Sequence, residues 1–158
     1  MLLERLSAAG SSLADQAGRV MECALPPVPG SNGVARSALR AYCQQHQVPV
    51  DVRDSGELVI SELVTNALVH AGTPFMVWAE YDAGKLTVAV LDGESTPPVV
   101  HPFDAGERSG GRGMPLIEAL GAAWGVATVH LGKVVWVTID PAPGFPQQRG
   151  PAPVAPLG

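Results

Sequence analysis

Residues 55 to 71 constrain this chain most, because helix signals bracket them on both sides. Asp54 and Glu57 stand at capping-box spacing at the start, and Gly72 with Pro74 supplies a stop behind. At roughly 100° per residue, Ile60, Leu63, Val64, Ala67 and Ala71 fall on one stripe that has to be laid on a core. Glu62, Asn66 and His70 recur one turn apart along the edge of that stripe. The edge faces the rim of the core, where polar side chains stay available for chemistry.

The segments around this helix read as short strands and one further helix. Residues 19 to 25 form a strand closed by Pro26, Pro27 and Pro29, which cannot continue a ladder. A helix follows from about Ser31, capped by Ser31 or Asn32, with Ala35, Ala38, Leu39, Tyr42 and His46 at helical spacing. Its flank carries Arg36 and Arg40, either a docking face for an acidic partner or a solvated surface. Residues 75 to 81 and 86 to 91 are β-rich runs joined by Asp82-Ala83-Gly84-Lys85, which suits an antiparallel hairpin. From Gly93 to Gly110 there is no periodicity, and three prolines interrupt the segment, so a lid loop is expected there. A short helix over 114 to 120 precedes two more strand-like runs, 124 to 129 and 134 to 139, with a turn around His130-Leu131-Gly132-Lys133. Trp78, Trp124 and Trp136 lie in these runs and read as core or interface residues.

Composition bounds what such a chain does. Its 158 residues, 46% of them hydrophobic, suffice for one core, expected over 19 to 140 between a loosely ordered leader (1 to 18) and a proline-rich tail (141 to 158). A net charge of -5 with no run of Lys or Arg argues against nucleic acid as a partner. Cys23 and Cys43 have no ligand-spaced neighbours and read as free thiols of a reducing cytoplasm. Glu4 and Arg5 interrupt what would be the apolar part of a signal peptide, and no apolar run is long enough to span a bilayer. The expectation is a soluble cytoplasmic protein that does not engage a membrane.

Three polar islands carry the chemistry. The side-chain amide oxygen of Asn66 can serve as a Mg²⁺ ligand, since that ion takes one or two protein oxygens with phosphates and water completing its shell. Glu62, one turn earlier, can accept a proton from an attacking hydroxyl. The same pair is also what an ordinary solvated helix flank looks like. Asp92, at the end of an apolar run and followed by Gly93, either caps a turn or accepts a hydrogen bond from the exocyclic amine of adenine. Guanine would bring a carbonyl to the same place and leave an acceptor desolvated, at a cost of about 1 to 3 kcal/mol. Gly110-Gly111-Arg112-Gly113-Met114 opens a helix, so its amides can approach phosphate oxygens, unless the glycines are simply a hinge. It lacks the Gly-Lys-Ser/Thr of a P-loop and the preceding strand of a dinucleotide fingerprint. His70 and His101 are lesser candidates, read first as structural or surface residues.

In order and spacing, Glu62-Leu63-Val64-Thr65-Asn66-Ala67, Asp92-Gly93 and Gly110-Gly111-Arg112-Gly113-Met114 resemble the N, G1 and G2 boxes of the GHKL ATPase superfamily. That superfamily comprises gyrase, heat-shock chaperone, histidine kinase and mismatch-repair proteins. Within it the chain is most similar to stand-alone anti-sigma factor serine kinases and their actinobacterial relatives, a similarity shared by Val69-His70-Ala71-Gly72-Thr73-Pro74 and Gly132-Lys133-Val134-Val135-Trp136. The resemblance implies a Bergerat α+β two-layer sandwich (α/β class), with a mixed, mostly antiparallel sheet and helices on one face. ATP would lie between helices under the lid, with Mg²⁺ on Asn66, adenine on Asp92 and Gly93, phosphates on Gly110, Gly111, Arg112, Gly113 and Met114, and Glu62 as catalytic base. It further implies a homodimer whose partners are a sigma factor and an anti-sigma antagonist phosphorylated on serine. The G1 box departs from the usual Asp-x-Gly-x-Gly, since its glycine comes one place early. A relative with this box that binds a sigma factor or other regulator without transferring phosphate is the alternative.

Overall fold

The computed structural model describes residues 19–94 and 123–140. Five strands and two long helices make up these segments. In chain order they are β1 (Val20–Leu25), α1 (Gly30–Gln45), α2 (Val50–Asn66) with a π-helical turn (Ala67–Ala71), β2 (Phe75–Asp82), β3 (Lys85–Asp92), β4 (Ala123–Val129) and β5 (Gly132–Ile139). The strands form one sheet in the order β1-β2-β3-β5-β4, and every pairing among the described strands is antiparallel.

Period-two alternation decides which side of each strand is buried. Met21, Leu25, Phe75, Val77, Ala79, Leu86, Val88, Val90, Val137 and Ile139 line the face under the helices and join Leu39, Val59, Ile60, Leu63 and Val64 in the main core. Leu39, Val59, Ile60, Val64 and Leu86 are fully buried, each contributing about 1.5 to 3 kcal/mol of burial free energy. The opposite face carries a smaller cluster of Trp78, Ala89 and Val134, flanked by Met76, Leu91 and Trp136. Trp124 packs against the main core instead. The three tryptophans thus divide between the two sides of the sheet.

Both helices begin earlier than their cap signals indicate. Helix α1 starts at Gly30 behind Pro29, and neither Ser31 nor Asn32 caps it. The buried Ser31 hydroxyl donates instead to the Pro26 carbonyl at 2.7 Å, which also accepts the Val28 N–H at 2.9 Å, so it fastens the proline-rich entry to the first turn. Helix α2 starts at Val50 behind Pro49, because the buried Val52 fixes the first turn against the core. Asp54 and Glu57 therefore sit inside the helix, not at its cap. Asp54 pairs with Arg53, and Glu57 accepts two hydrogen bonds from Arg40 at 2.9 and 2.6 Å. The Arg40 guanidinium holds the Glu57 carboxyl below its ordinary range. This pairing assigns Arg40 to α2.

The C-terminal stop lies where expected. Gly72 adopts φ +59° and its N–H reaches the Ala67 carbonyl, closing the π-turn. The turn also explains why Ala71 is only half-buried: the wider winding after Asn66 breaks the 3.6-residue period that placed Ala71 on the stripe. Cys43 is buried, which pushes its thiol up to about 11, and Cys23 is half-buried, so both remain free thiols.

One hydrogen-bonded bridge ties helix to sheet away from the polar islands. Tyr42 donates to the Arg19 carbonyl at 2.6 Å and accepts from the Tyr81 N–H at 2.8 Å. Tyr42→Phe should therefore cost about 1 to 3 kcal/mol by stranding both backbone groups. Urea unfolding followed by circular dichroism should show a lower midpoint at an unchanged slope.

The leader at 1 to 18, the lid at 95 to 110, the helix at 114 to 120 and the tail at 141 to 158 lie outside the described residues. Among the described residues, no helix is long and apolar enough to cross a membrane.

Candidate nucleotide site

The last two turns of α2 present Glu62 and Asn66 along one edge, both half-buried, while Leu63, Val64 and Ala67 face the core. A cross-brace from α1 secures this end of the helix. Asn32 donates through Nδ2 to the Ser61 carbonyl at 3.2 Å and to Thr65 Oγ1 at 3.0 Å, and Thr65 in turn donates to the Ser61 carbonyl at 2.7 Å. The turn that ends at Asn66 is thus held from outside its own helix. Among the described residues no hydrogen bond or ion pair occupies the Glu62 carboxylate or the Asn66 amide.

Asp92 is the second anchor. It ends β3 on the helix-covered face, opposite Phe75 on β2 and Lys133 on β5, and is only 4% exposed. Its Oδ1 accepts the Glu94 N–H at 3.1 Å, and its Oδ2 lies 3.6 Å from Lys133 Nζ. Burial raises the Asp92 carboxyl above the ordinary carboxylate range, while the Glu94 N–H and the Lys133 charge pull it back down. A carboxylate with this few partners keeps lone pairs for a further donor.

The segments after the two anchors are stitched together. Thr73, just past the Gly72 turn, accepts the Gly93 N–H through Oγ1 at 3.1 Å. A Cβ on Gly93 would stand 3.0 Å from the same oxygen, a tight contact that Thr73 would have to yield to by a few tenths of an ångström. The early glycine of the G1 box therefore has a local purpose here. The α2–π-turn unit packs against β3, so the helix end with Asn66 and the strand end with Asp92 share one side of the sheet.

Of the residues singled out from sequence, Glu62, Asn66, Asp92 and Gly93 lie on these adjoining elements, without direct hydrogen bonds between the helix pair and Asp92. Gly110, Gly111, Arg112, Gly113 and Met114 lie outside the described residues. The sequence reading missed Asn32, Thr73 and Lys133 as structural partners of the site. Thr73 and Lys133 lie within Val69-His70-Ala71-Gly72-Thr73-Pro74 and Gly132-Lys133-Val134-Val135-Trp136, but their partners depend on a turn contact and on β3–β5 register, which are non-local. Lys133 also bonds Glu94 Oε2 at 2.6 Å. That ammonium holds the Glu94 carboxyl below its ordinary value, with a smaller contribution from His70.

The geometry is that of a helix-end amide and carboxylate on the same side of the sheet as a buried strand-end carboxylate. A model of the histidine kinase-like ATPase domain family matches residues 25–139. The chain belongs to that family. Among solved structures, the histidine kinase domain from the Erythrobacter litoralis EL346 blue-light activated histidine kinase is similar at a TM-score of 0.45 and 22% identity, covering 66% of this chain and 60% of that one. No curated protein matches the chain. Family membership implies an ATP site. The described residues of this domain fit such a ligand, because a buried carboxylate with acceptor capacity and an amide oxygen that no described residue engages are what adenine and a hard cation require.

Proposed function

We propose that the chain is an ATP- and Mg²⁺-dependent serine protein kinase of the anti-sigma type. It phosphorylates a serine of an anti-sigma antagonist and, in the other arm of the switch, holds a sigma factor, acting as a homodimer. The observation that carries this reading is the pairing of Glu62 with Asn66 on an α2 end braced by Asn32, next to the buried Asp92.

When bound, ATP with Mg²⁺ supplies the transferable phosphoryl group and offsets the negative charge of its oxygens. Asn66 would hold the ion through its amide oxygen, and Asp92 would accept the adenine amine. Glu62 takes the proton as the serine oxygen of the antagonist bonds to the γ-phosphorus and the bond to the β-phosphate oxygen breaks, leaving ADP and phosphoserine. Thr73 and Gly93 keep the β3 end in register with the π-turn.

A second reading is favoured by one observation, the Lys133 ammonium already lying against Asp92. On that reading the domain captures its partner protein without turning over nucleotide. Titration calorimetry with ATP and Mg²⁺ separates the two. The kinase reading predicts saturable binding, and Asp92→Asn should weaken it roughly 10- to 100-fold by replacing a charged acceptor. Absence of binding at millimolar ATP would leave only the capture module.

A further inference from the structure

Asp92 is not an isolated carboxylate. Lys133 Nζ lies 3.6 Å from Asp92 Oδ2 and 2.6 Å from Glu94 Oε2, with the lysine side chain only 12% exposed and that of Asp92 5%. One ammonium thus serves two carboxylates, one buried and one at the rim. The arrangement is built by the backbone, since Asp92 and Lys133 are direct cross-strand partners and Gly132 backs onto the Asp92 carbonyl with no room for a Cβ. His70, on the π-turn, contributes a weaker charge on the Glu94 side. Nothing in the ATP reading itself uses Lys133 or Glu94.

We propose that Lys133 is a positioning residue for base selection: its ammonium, lying against Asp92 Oδ2, keeps Asp92 an acceptor-only carboxylate, and so holds the site to adenine over guanine. The inference rests on the ATP reading and extends it. Selectivity turns on a single proton. An ionised Asp92 accepts from the adenine amine and faces the guanine carbonyl as one acceptor against another. A protonated Asp92 presents an O–H that can donate to the guanine carbonyl, and discrimination falls. Burial favours the protonated form, while Lys133 and the Glu94 N–H oppose it. Glu94 works against Lys133 in two ways, by competing for the ammonium and by adding its own negative charge. The two neighbours therefore push the selectivity of the site in opposite directions.

The test is equilibrium binding of Mg·ATP and Mg·GTP to the full chain as pH is lowered from neutral to the acid limit of its folded state. In the native protein the ATP:GTP affinity ratio should be steady at high pH and fall as acid protonates Asp92. Lys133→Met should move that fall to higher pH by about one unit or more, the usual effect of removing an opposite charge at this distance. Lys133→Arg should restore it, and Glu94→Gln should move it to lower pH. The last variant keeps the Asp92–Lys133 pair, so it remains informative if Lys133→Met folds poorly. Carbon NMR titration of the Asp92 carboxyl in nucleotide-free protein reads the hold of Lys133 independently. An Asp92 titration that is the same in native and Lys133→Met protein overturns the inference even if ATP binds. A native chain that binds neither nucleotide overturns the ATP reading, and the selectivity role with it.

Discussion

Replacing Glu62 by alanine should lower phosphate transfer from labelled ATP to a cognate antagonist by about 10²- to 10⁴-fold, the range that a positioned general base contributes. Binding of ATP should change little, because Glu62 is assigned to the proton of the acceptor and not to the nucleotide. In kinetic terms the loss belongs in the turnover rate and not in KM for ATP. The site makes this a clean variant. Glu62 lies on the edge of the α2 stripe, half-buried, while Leu63 and Val64 carry the packing. Its carboxylate holds no described residue in place, so alanine, a good helix former, should leave the fold intact. Glu62→Gln, which keeps shape and polarity but cannot take the proton, should lose nearly as much. Single-turnover transfer measures both variants, and full transfer by Glu62→Ala would remove the base from the account.

The second large effect is expected at Gly132. Its φ is +143°, and a Cβ there would run into the carbonyl oxygen and carbon of Asp92. Those are backbone atoms of a paired strand, so they cannot swing aside as a side chain can. Gly132→Ala thus combines an unfavourable backbone conformation with overpacking, each worth about 1 to 3 kcal/mol. The melting temperature should fall by on the order of 10 °C. Because the clash separates the start of β5 from the end of β3, it also displaces Asp92, the residue assigned to adenine, and ATP affinity should fall beyond what lost stability alone explains. Thermal melts alongside ATP titrations at a temperature where the variant is folded check both parts. A variant with the native melting temperature would mean that the β3–β5 junction is looser than this contact implies.

How much of this could be read from residue order follows the range of each interaction. The β2–β3 hairpin and the β4–β5 pair were legible because alternation and turn residues act within a few positions, and Gly72 was legible as a helix stop for the same reason. The helix starts were not. Asp54 and Glu57 mimic a capping box, but the burial of Val52 and the Arg40–Glu57 pairing across two helices decide the outcome. The π-turn after Asn66 has no local signature in Ala67-Leu68-Val69-His70-Ala71. For the candidate site, motif spacing singles out Glu62, Asn66 and Asp92, since it follows chain order. The residues that support them, Asn32 from α1 and Lys133 from β5, lie 33 positions from Thr65 and 39 from Glu94 and meet their partners only through tertiary packing.

The central claim is that the α2 end, the β3 end and the glycine-rich segment grip one Mg²⁺-bound adenine nucleotide. It is tested most directly by backbone amide NMR of the full chain titrated with a non-hydrolysable Mg·ATP analogue. The account predicts that the amides of Asn66, Gly93, Gly110, Gly111 and Gly113 shift together along one saturation curve. Shifts that leave Asn66 and Gly93 unmoved, or that saturate at different concentrations for the three segments, would contradict it.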